Sequence, residues 1–162
     1  MAAVDYFLKI DGMEGESHDT KHKNEIELES FSFGESQTGT FASGGGGGAG
    51  KVQMQDFHFT EKLSKASPKL ALACATGQHI KKAVLTARKA GGSQQDFYTV
   101  TFTDLLVSSY NVGGSGHGDT VPVEQVSLNF AKIEWKYQLQ DEKGNVGNPV
   151  MAGYDLKQNK KL

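Results

Sequence analysis

With one cysteine, Cys74, the chain cannot form an intrachain disulfide, and a lone thiol suits a reducing cytoplasm. No apolar run approaches the ~20 residues that a membrane helix requires, so stable membrane insertion is not expected. The start, Met1-Ala-Ala-Val-Asp-Tyr-Phe, has no basic segment followed by an apolar one, which argues against a cleaved secretory signal. Charge of one sign is lacking too: a net charge of -2 creates no field of the kind that draws a protein to nucleic acid or an anionic bilayer. Proline is scarce, 3 residues against 20 glycines, and so much glycine in a packed chain goes into turns and mobile loops.

What is present suffices for one domain, residues 1–162, able to bury a core without staples. One stretch, residues 67–77, reads as a helix. Ser67 can cap it, Pro68 fits its first position and Gly77 can take the left-handed conformation that ends it. Leu70, Ala73 and Cys74 share a face with Leu72 at its margin, and a helix this short needs that face packed on a sheet. Around it the chain reads as strands. Residues 4–10 form the first, Asp11-Gly12 a turn, and residues 14–23 a polar loop. In residues 24–34, Ile26 and Leu28 alternate in one phase and Phe31 and Phe33 in the other, which places a bend near Ser30. Residues 51–63 mirror this, with Val52 and Met54, then Phe57 and Phe59. The two segments are expected to pair antiparallel and bend together, joined by a flexible loop, residues 35–50, that contains Gly44 to Gly48.

Residues 82–90 alternate Ala83, Leu85 and Ala87 against Val84, Thr86 and Arg88, and Gly91-Gly92-Ser93 closes a hairpin. In residues 94–112, Tyr98, Val100, Phe102, Leu106, Tyr110 and Val112 keep one phase, opposite Thr99, Thr101 and Thr103, a polar β-branched face suited to water. Residues 121–138 change phase twice, as a strand does on turning a barrel corner. A turn at 141–145, a short strand around Tyr154 and Leu156 and a basic tail (Lys157, Lys160, Lys161) end the chain. Long strands, hairpin turns and no βαβ rhythm give a mainly β, antiparallel barrel or sandwich with one helix on its side.

The candidate chemistry is thin. Gly45 to Lys51 satisfies G-x-x-x-x-G-K, but Val52 stands where a phosphate-binding loop needs Ser or Thr, and a strand follows where a helix should. Cys74 reads as a small core residue, and His18 and His22 as solvated loop histidines rather than metal ligands. His58, His79 and His117 have no carboxylate pattern linking them. No catalytic, metal or cofactor site is expected.

The ordered signals Gly44 to Val52, Met54-Gln55-Asp56-Phe57-His58-Phe59-Thr60, Lys65-Ala66-Ser67-Pro68-Lys69-Leu70, Ala73-Cys74-Ala75-Thr76-Gly77-Gln78-His79, Leu85 to Gly92, Leu106-Val107-Ser108-Ser109-Tyr110 and Val126-Ser127-Leu128-Asn129-Phe130 together resemble the Hcp family, the haemolysin-coregulated proteins of type VI secretion. The resemblance spans essentially the whole chain. It implies a β-barrel of two sheets with a side helix, assembled as a homohexameric ring. Such rings stack into an inner tube that a contractile sheath drives outward, with a spike protein at the tip and effector proteins in the lumen. It further implies a cytoplasmic protein exported by that machinery without a cleaved signal. On this reading Gly44, Gly45, Gly46, Gly47, Gly48 and Lys51 belong to a loop at the contact between stacked rings. Ser32, Thr99, Thr101 and Thr103 face lumen or cargo, and Val84 lies on an edge strand that makes the ring contact. Phe31 and Phe33 stand where the resemblance leads one to expect tryptophan, which keeps the register and alters cargo contacts. Two alternatives stand beside the tube subunit: a monomeric secreted binding module of the same fold, and a small hydrolase or nucleotide-binding enzyme built on the glycine loop.

Overall fold

The computed structural model describes residues 4–39, 50–89, 94–118, 121–139 and 147–162. The glycine run Gly44 to Gly48, the hairpin tip Gly91-Gly92-Ser93 and the turn at 141–145 lie outside the described residues. The elements are β1 (Val4–Ile10), β2 (Ile26–Glu27), β3 (Ser30–Ser32), β4 (Glu35–Ser36), β5 (Gln53–Met54), β6 (Phe57–Lys62), α1 (Ser67–Thr76), β7 (Ile80–Lys89), β8 (Asp96–Gly113), β9 (Val123–Tyr137), β10 (Val150–Asp155) and β11 (Lys160–Lys161).

All pairings are antiparallel. The main path runs β11-β10-β9-β8-β7-β1-β2, and β6 adds to the far side of β9 with β3 outside it. Strands β8 and β9 are 18 and 15 residues long, longer than one layer needs, and each serves two halves of the sheet. The first half of β8 pairs with β7, while the first half of β9 pairs with β6. Of the two phase changes read in residues 121–138, one is present: Phe130 and Ile133 both point inward, whereas buried Glu124 keeps the phase of Val126, Leu128 and Phe130. The chain breaks between β2 and β3, and between β5 and β6, but the expected pairing of residues 24–34 with 51–63 holds only in part: β3 pairs with β6, Phe31 opposite Phe59, whereas β2 pairs with β1, and β5 pairs with Glu35 and Ser36 of β4, in the stretch read as loop. Strand pairing alone does not close the barrel. The gap between β2 and β3 is bridged by two amides: Leu28 donates to the Tyr6 carbonyl (3.0 Å) and Glu29 to the Thr60 carbonyl (2.9 Å).

The folded sheet encloses an aromatic core. Phe57 of β6 meets Phe102 of β8 with ring centroids 4.8 Å apart, and Phe102 meets Phe130 of β9 at 4.7 Å. Phe57, Phe59 and Phe102 are fully buried, each burial stabilising by roughly 1.5–3 kcal/mol. In β8 the expected single phase is corrected. Val100 and Phe102 point inward, but so do Leu105 and Val107, and Leu106 is exposed. Asp104 has φ 53, a left-handed conformation that breaks the alternation, and the register shifts again between Val107 and Ser109.

Helix α1 covers β8 with Leu70 and Ala73 fully buried, whereas Leu72 points to solvent. Gly77 ends it at φ 67, with its region tied back by the Gln78 amide to the Ala73 carbonyl. The expected cap at Ser67 is corrected: Ser67 lies inside the helix. Its hydroxyl oxygen accepts from the Ser64 amide (3.0 Å), and the Ser64 hydroxyl oxygen accepts from the Ala66 amide (3.2 Å). With the Ser67 amide bonded to the Ser64 carbonyl, these bonds satisfy the turn from Ser64 that leads into the helix, three residues earlier than the sequence suggests.

Candidate functional site

The outward faces of the two sheet halves carry the residues of interest, and they look in opposite directions. On the first half, Thr99, Thr101 and Thr103 of β8 stand opposite Thr86, Val84 and Lys82 of β7 and Lys136, Glu134 and Lys132 of β9. They are half-buried. A groove of about 320 Å³ beside them is lined by Thr99, Thr101, Trp135, Met151 and Leu162. The Val84 expectation is corrected here. Strand β7 is hydrogen-bonded to β1 and to β8 along its length, with Val84 between Lys9 and Thr101, so it is an interior strand with no free edge. Val84 and Thr101 share the same outward face.

On the other half, Ser32 of β3 begins a row that crosses four strands: Ser32, His58 of β6, Ser127 of β9 and Ser109 of β8. A second row runs beside it through Ser30, Thr60, Gln125 and Asn111. Their hydroxyls bond along the wall, Ser30 to Thr60 at 2.6 Å and Ser108 to Ser127 at 2.7 Å. Ser108 and Asn129 also donate to the two oxygens of Asp56, at 2.7 and 2.8 Å. A groove of about 410 Å³ opens over this surface. The core pair Phe57 and Phe102 lies between the two walls. Of this wall, Ser32 was legible in the sequence. His58, Thr60 and Gln125 alternate with the buried neighbours Phe57, Phe59 and Val126, a signal that could have found them, whereas Ser109 and Asn111 have no buried neighbour and left none.

The loop at 14–25 lies over the outer face of β1 and β7. Gly15 lets the two ends of this loop lie against each other, because a Cβ there would meet the Glu25 carbonyl oxygen at 2.5 Å. Arg88, 2 % exposed, fixes the loop through two hydrogen bonds to Asp19, at 2.7 and 2.6 Å. The guanidinium holds the Asp19 carboxyl well below its usual range, and Asp19 in turn raises Arg88. His22 is the second correction at this site. Expected to be solvated, it is buried, stacked on Phe7 at 4.4 Å and placed between Glu25 (2.9 Å) and Asp96 (3.1 Å). His18 is exposed, and His79 contacts Asp104 at 3.2 Å. Among the described residues no three His, Cys, Asp or Glu side chains are grouped to hold a metal ion. Cys74 is half-buried against the core, and Lys51 is exposed, two residues ahead of β5.

Residues 7–137 match the family model described as "Type VI secretion system effector, Hcp". The chain is 50% identical to Protein hcp1 of Pseudomonas aeruginosa over 159 residues, 97% of this chain and 98% of the relative. It is similar to the crystal structure of Hcp1 from Salmonella typhimurium, with TM-score 0.82 and 37% identity over 99% of this chain and 100% of that one. A structure described as that of a type six secretion system protein superposes with TM-score 0.94 at 34% identity, again over 99% and 100% of the two chains. A barrel-like sheet with a side helix, two opposed polar walls and this whole-length match place the chain in the Hcp family of type VI secretion proteins.

Proposed function

We propose that this chain is the subunit of a type VI inner tube, a homohexameric ring that stacks, is exported when a contractile sheath fires, carries effectors in its lumen and has no enzymatic activity of its own. The observation that carries the reading is an exposed apolar corner on an open sheet edge. Tyr137, Leu139, Val150, Met151 and Leu162 are all exposed, and they gather where β9 ends, β10 begins and Leu162 bonds back to Gly153. Large apolar side chains left exposed together at one end of a sheet edge suit a contact surface. Lys157, Lys160 and Lys161 flank it.

On β2, the other end of the seven-strand path, and in the segments beside it, Glu14, Glu16, Glu27 and Glu29 are exposed. Lys65 and Lys62 offset them in part through contacts of 3.7 and 3.9 Å to Glu14 and Glu29. Opposite charge at opposite ends of one subunit suits a head-to-tail contact, and a head-to-tail contact that closes makes a ring.

The Ser32 wall is the better lumen surface. It is small, polar and open, and it presents mostly hydroxyls and amides, with the Asp56 carboxylate held by Ser108 and Asn129, which suits varied protein cargo. The threonine wall then faces outward. The loop at 35–50, with Gly44 to Gly48 and Lys51, is assigned to the contact between rings, and a spike protein to the tube tip. Deleting Gly44 to Gly48 should shorten or weaken tubes; tubes of unchanged length and stability would remove that role.

Light scattering over a dilution series tests the ring: a mass near six times the 17.5 kDa of the chain supports it, and a monomer at every concentration favours the secreted binding module instead. The wall assignment is tested in a Cys74→Ser background. In assembled tubes Ser32→Cys should resist a protein-sized thiol reagent while Thr101→Cys reacts; the reverse would exchange the two walls.

A further inference from the structure

Two glutamates face each other inside the barrel wall. Glu61 of β6 and Glu124 of β9 are direct cross-strand partners, 1 % and 0 % exposed. Like charges in that position repel, and burial deprives both of water. A donor or cation beside them would resolve the conflict, yet the surroundings supply little. The Ser64 hydroxyl donates to Glu61 Oε1 at 2.8 Å, just before α1. The other Glu61 oxygen and both Glu124 oxygens have no partner. From the preceding loop Glu16 adds a further negative charge, from β8 Tyr110 approaches, and from the start of α1 there are only the hydroxyls of Ser64 and Ser67. Among the described residues no Lys, Arg or His is within ion-pair distance of either glutamate.

Three orphaned carboxyl oxygens in a dry site cost several kcal/mol if both groups are ionised. One proton removes the conflict. A carboxylic acid on one strand donates to the carboxylate on the other, halving the charge and turning a repulsive pair into a charge-assisted hydrogen bond. We propose that Glu61 and Glu124 hold one proton between them and act as a pH-sensitive latch joining β6 to β9 beneath the start of the helix.

The supporting electrostatics agree in direction. Burial first, then Glu124, push the Glu61 carboxyl from its ordinary value near 4.5 up to about 8, and burial with Glu124 pushes the Tyr110 phenol up to about 12. The folded chain therefore keeps a proton that the unfolded chain releases. Folding takes up that proton between about pH 4.5 and pH 8, so stability falls as pH rises through this window and levels off above it. The latch is independent of ring formation and of the lumen assignment.

The test is urea denaturation of the full chain from pH 5 to pH 9, wild type against Glu61→Gln. The amide keeps the shape and one donor while removing the titration. Relative to the variant, the wild-type unfolding constant should rise by up to about tenfold per pH unit as pH increases toward 8. Glu61→Lys, which sets an ammonium opposite Glu124, should remove the slope as well. A wild-type slope equal to that of Glu61→Gln overturns the proposal. Infrared spectroscopy of the wild type needs no variant: a protonated carboxyl carbonyl band should persist at pH 6.5 and vanish above pH 9. Its absence at pH 6.5 overturns the proposal equally.

Discussion

Arg88 is the residue on which the outer loop depends. A guanidinium at 2 % exposure is tolerable only because Asp19 meets it in a paired geometry and the ring of Phe7 lies 4.9 Å below. Asp19→Ala leaves that charge buried with only Asp5 near it, and should lower folding stability by about 3–5 kcal/mol in urea titrations. Arg88→Met removes charge and desolvation together and should cost less. The same pair sets the acid limit. The Asp19 carboxyl is held below its ordinary value near 3.8, so its stabilising contribution is complete above that value and is lost as pH falls beneath it. Wild type should lose stability there, and Asp19→Asn should lose little more on further acidification. None of this network was legible in the sequence. Arg88 was placed correctly on the face opposite Leu85, but a polar loop without periodicity gives no sign of what it will cover. His22 shows the same gap: its burial comes from Phe7 and Asp96, the second of which is 74 residues away.

At the scale of elements, alternation in the chain carried most of the information. Phenylalanines that switch phase in both segments do not tell that β2 joins β1 while β5 joins β4, but they made the breaks at β2/β3 and β5/β6 each readable. The break within β8 was not, since Leu106 fits either phase and the cause is a single backbone angle. Aspartate tolerates φ 53 at position 104 better than a β-branched residue does. Asp104→Val should therefore lower the thermal midpoint well below that of Asp104→Gly, which frees the backbone but gives up the same His79 and Lys81 contacts. Equal midpoints would mean that those contacts, and not the left-handed turn, fix the strand. The helix stop is a matching case with a clear sequence signal. Gly77→Ala places a Cβ at φ 67 and should cost about 1 kcal/mol, measured by the same denaturation.

At the scale of the whole molecule, alternation marks the sheet's outward side chains but not which way each face looks, because it says only that a side chain leaves the core. Ser32 and Thr101 both leave it, on opposite sides. Nor does one chain's pattern distinguish an interior strand from an edge, and this is why Val84 was misplaced. The two positions separate the possible ring contacts. Val84→Asp puts a carboxylate into a half-buried slot between Lys9 and Thr101 in the middle of the sheet. It should lower folding stability while leaving the balance of ring and monomer at a given folded concentration unchanged. Val150→Glu with Met151→Glu changes two side chains that are 71 % and 69 % exposed and that none of the described residues covers. It should leave folding nearly intact. If the apolar corner seats the next subunit, a loss of about 2 kcal/mol at each contact weakens that contact roughly thirtyfold. Because every subunit of a closed ring donates one corner and receives another, the loss falls on all its contacts at once, and light scattering should find monomers at concentrations where the wild type is a ring. A hexamer that survives this double change while Val84→Asp releases monomers would move the contact to the threonine face.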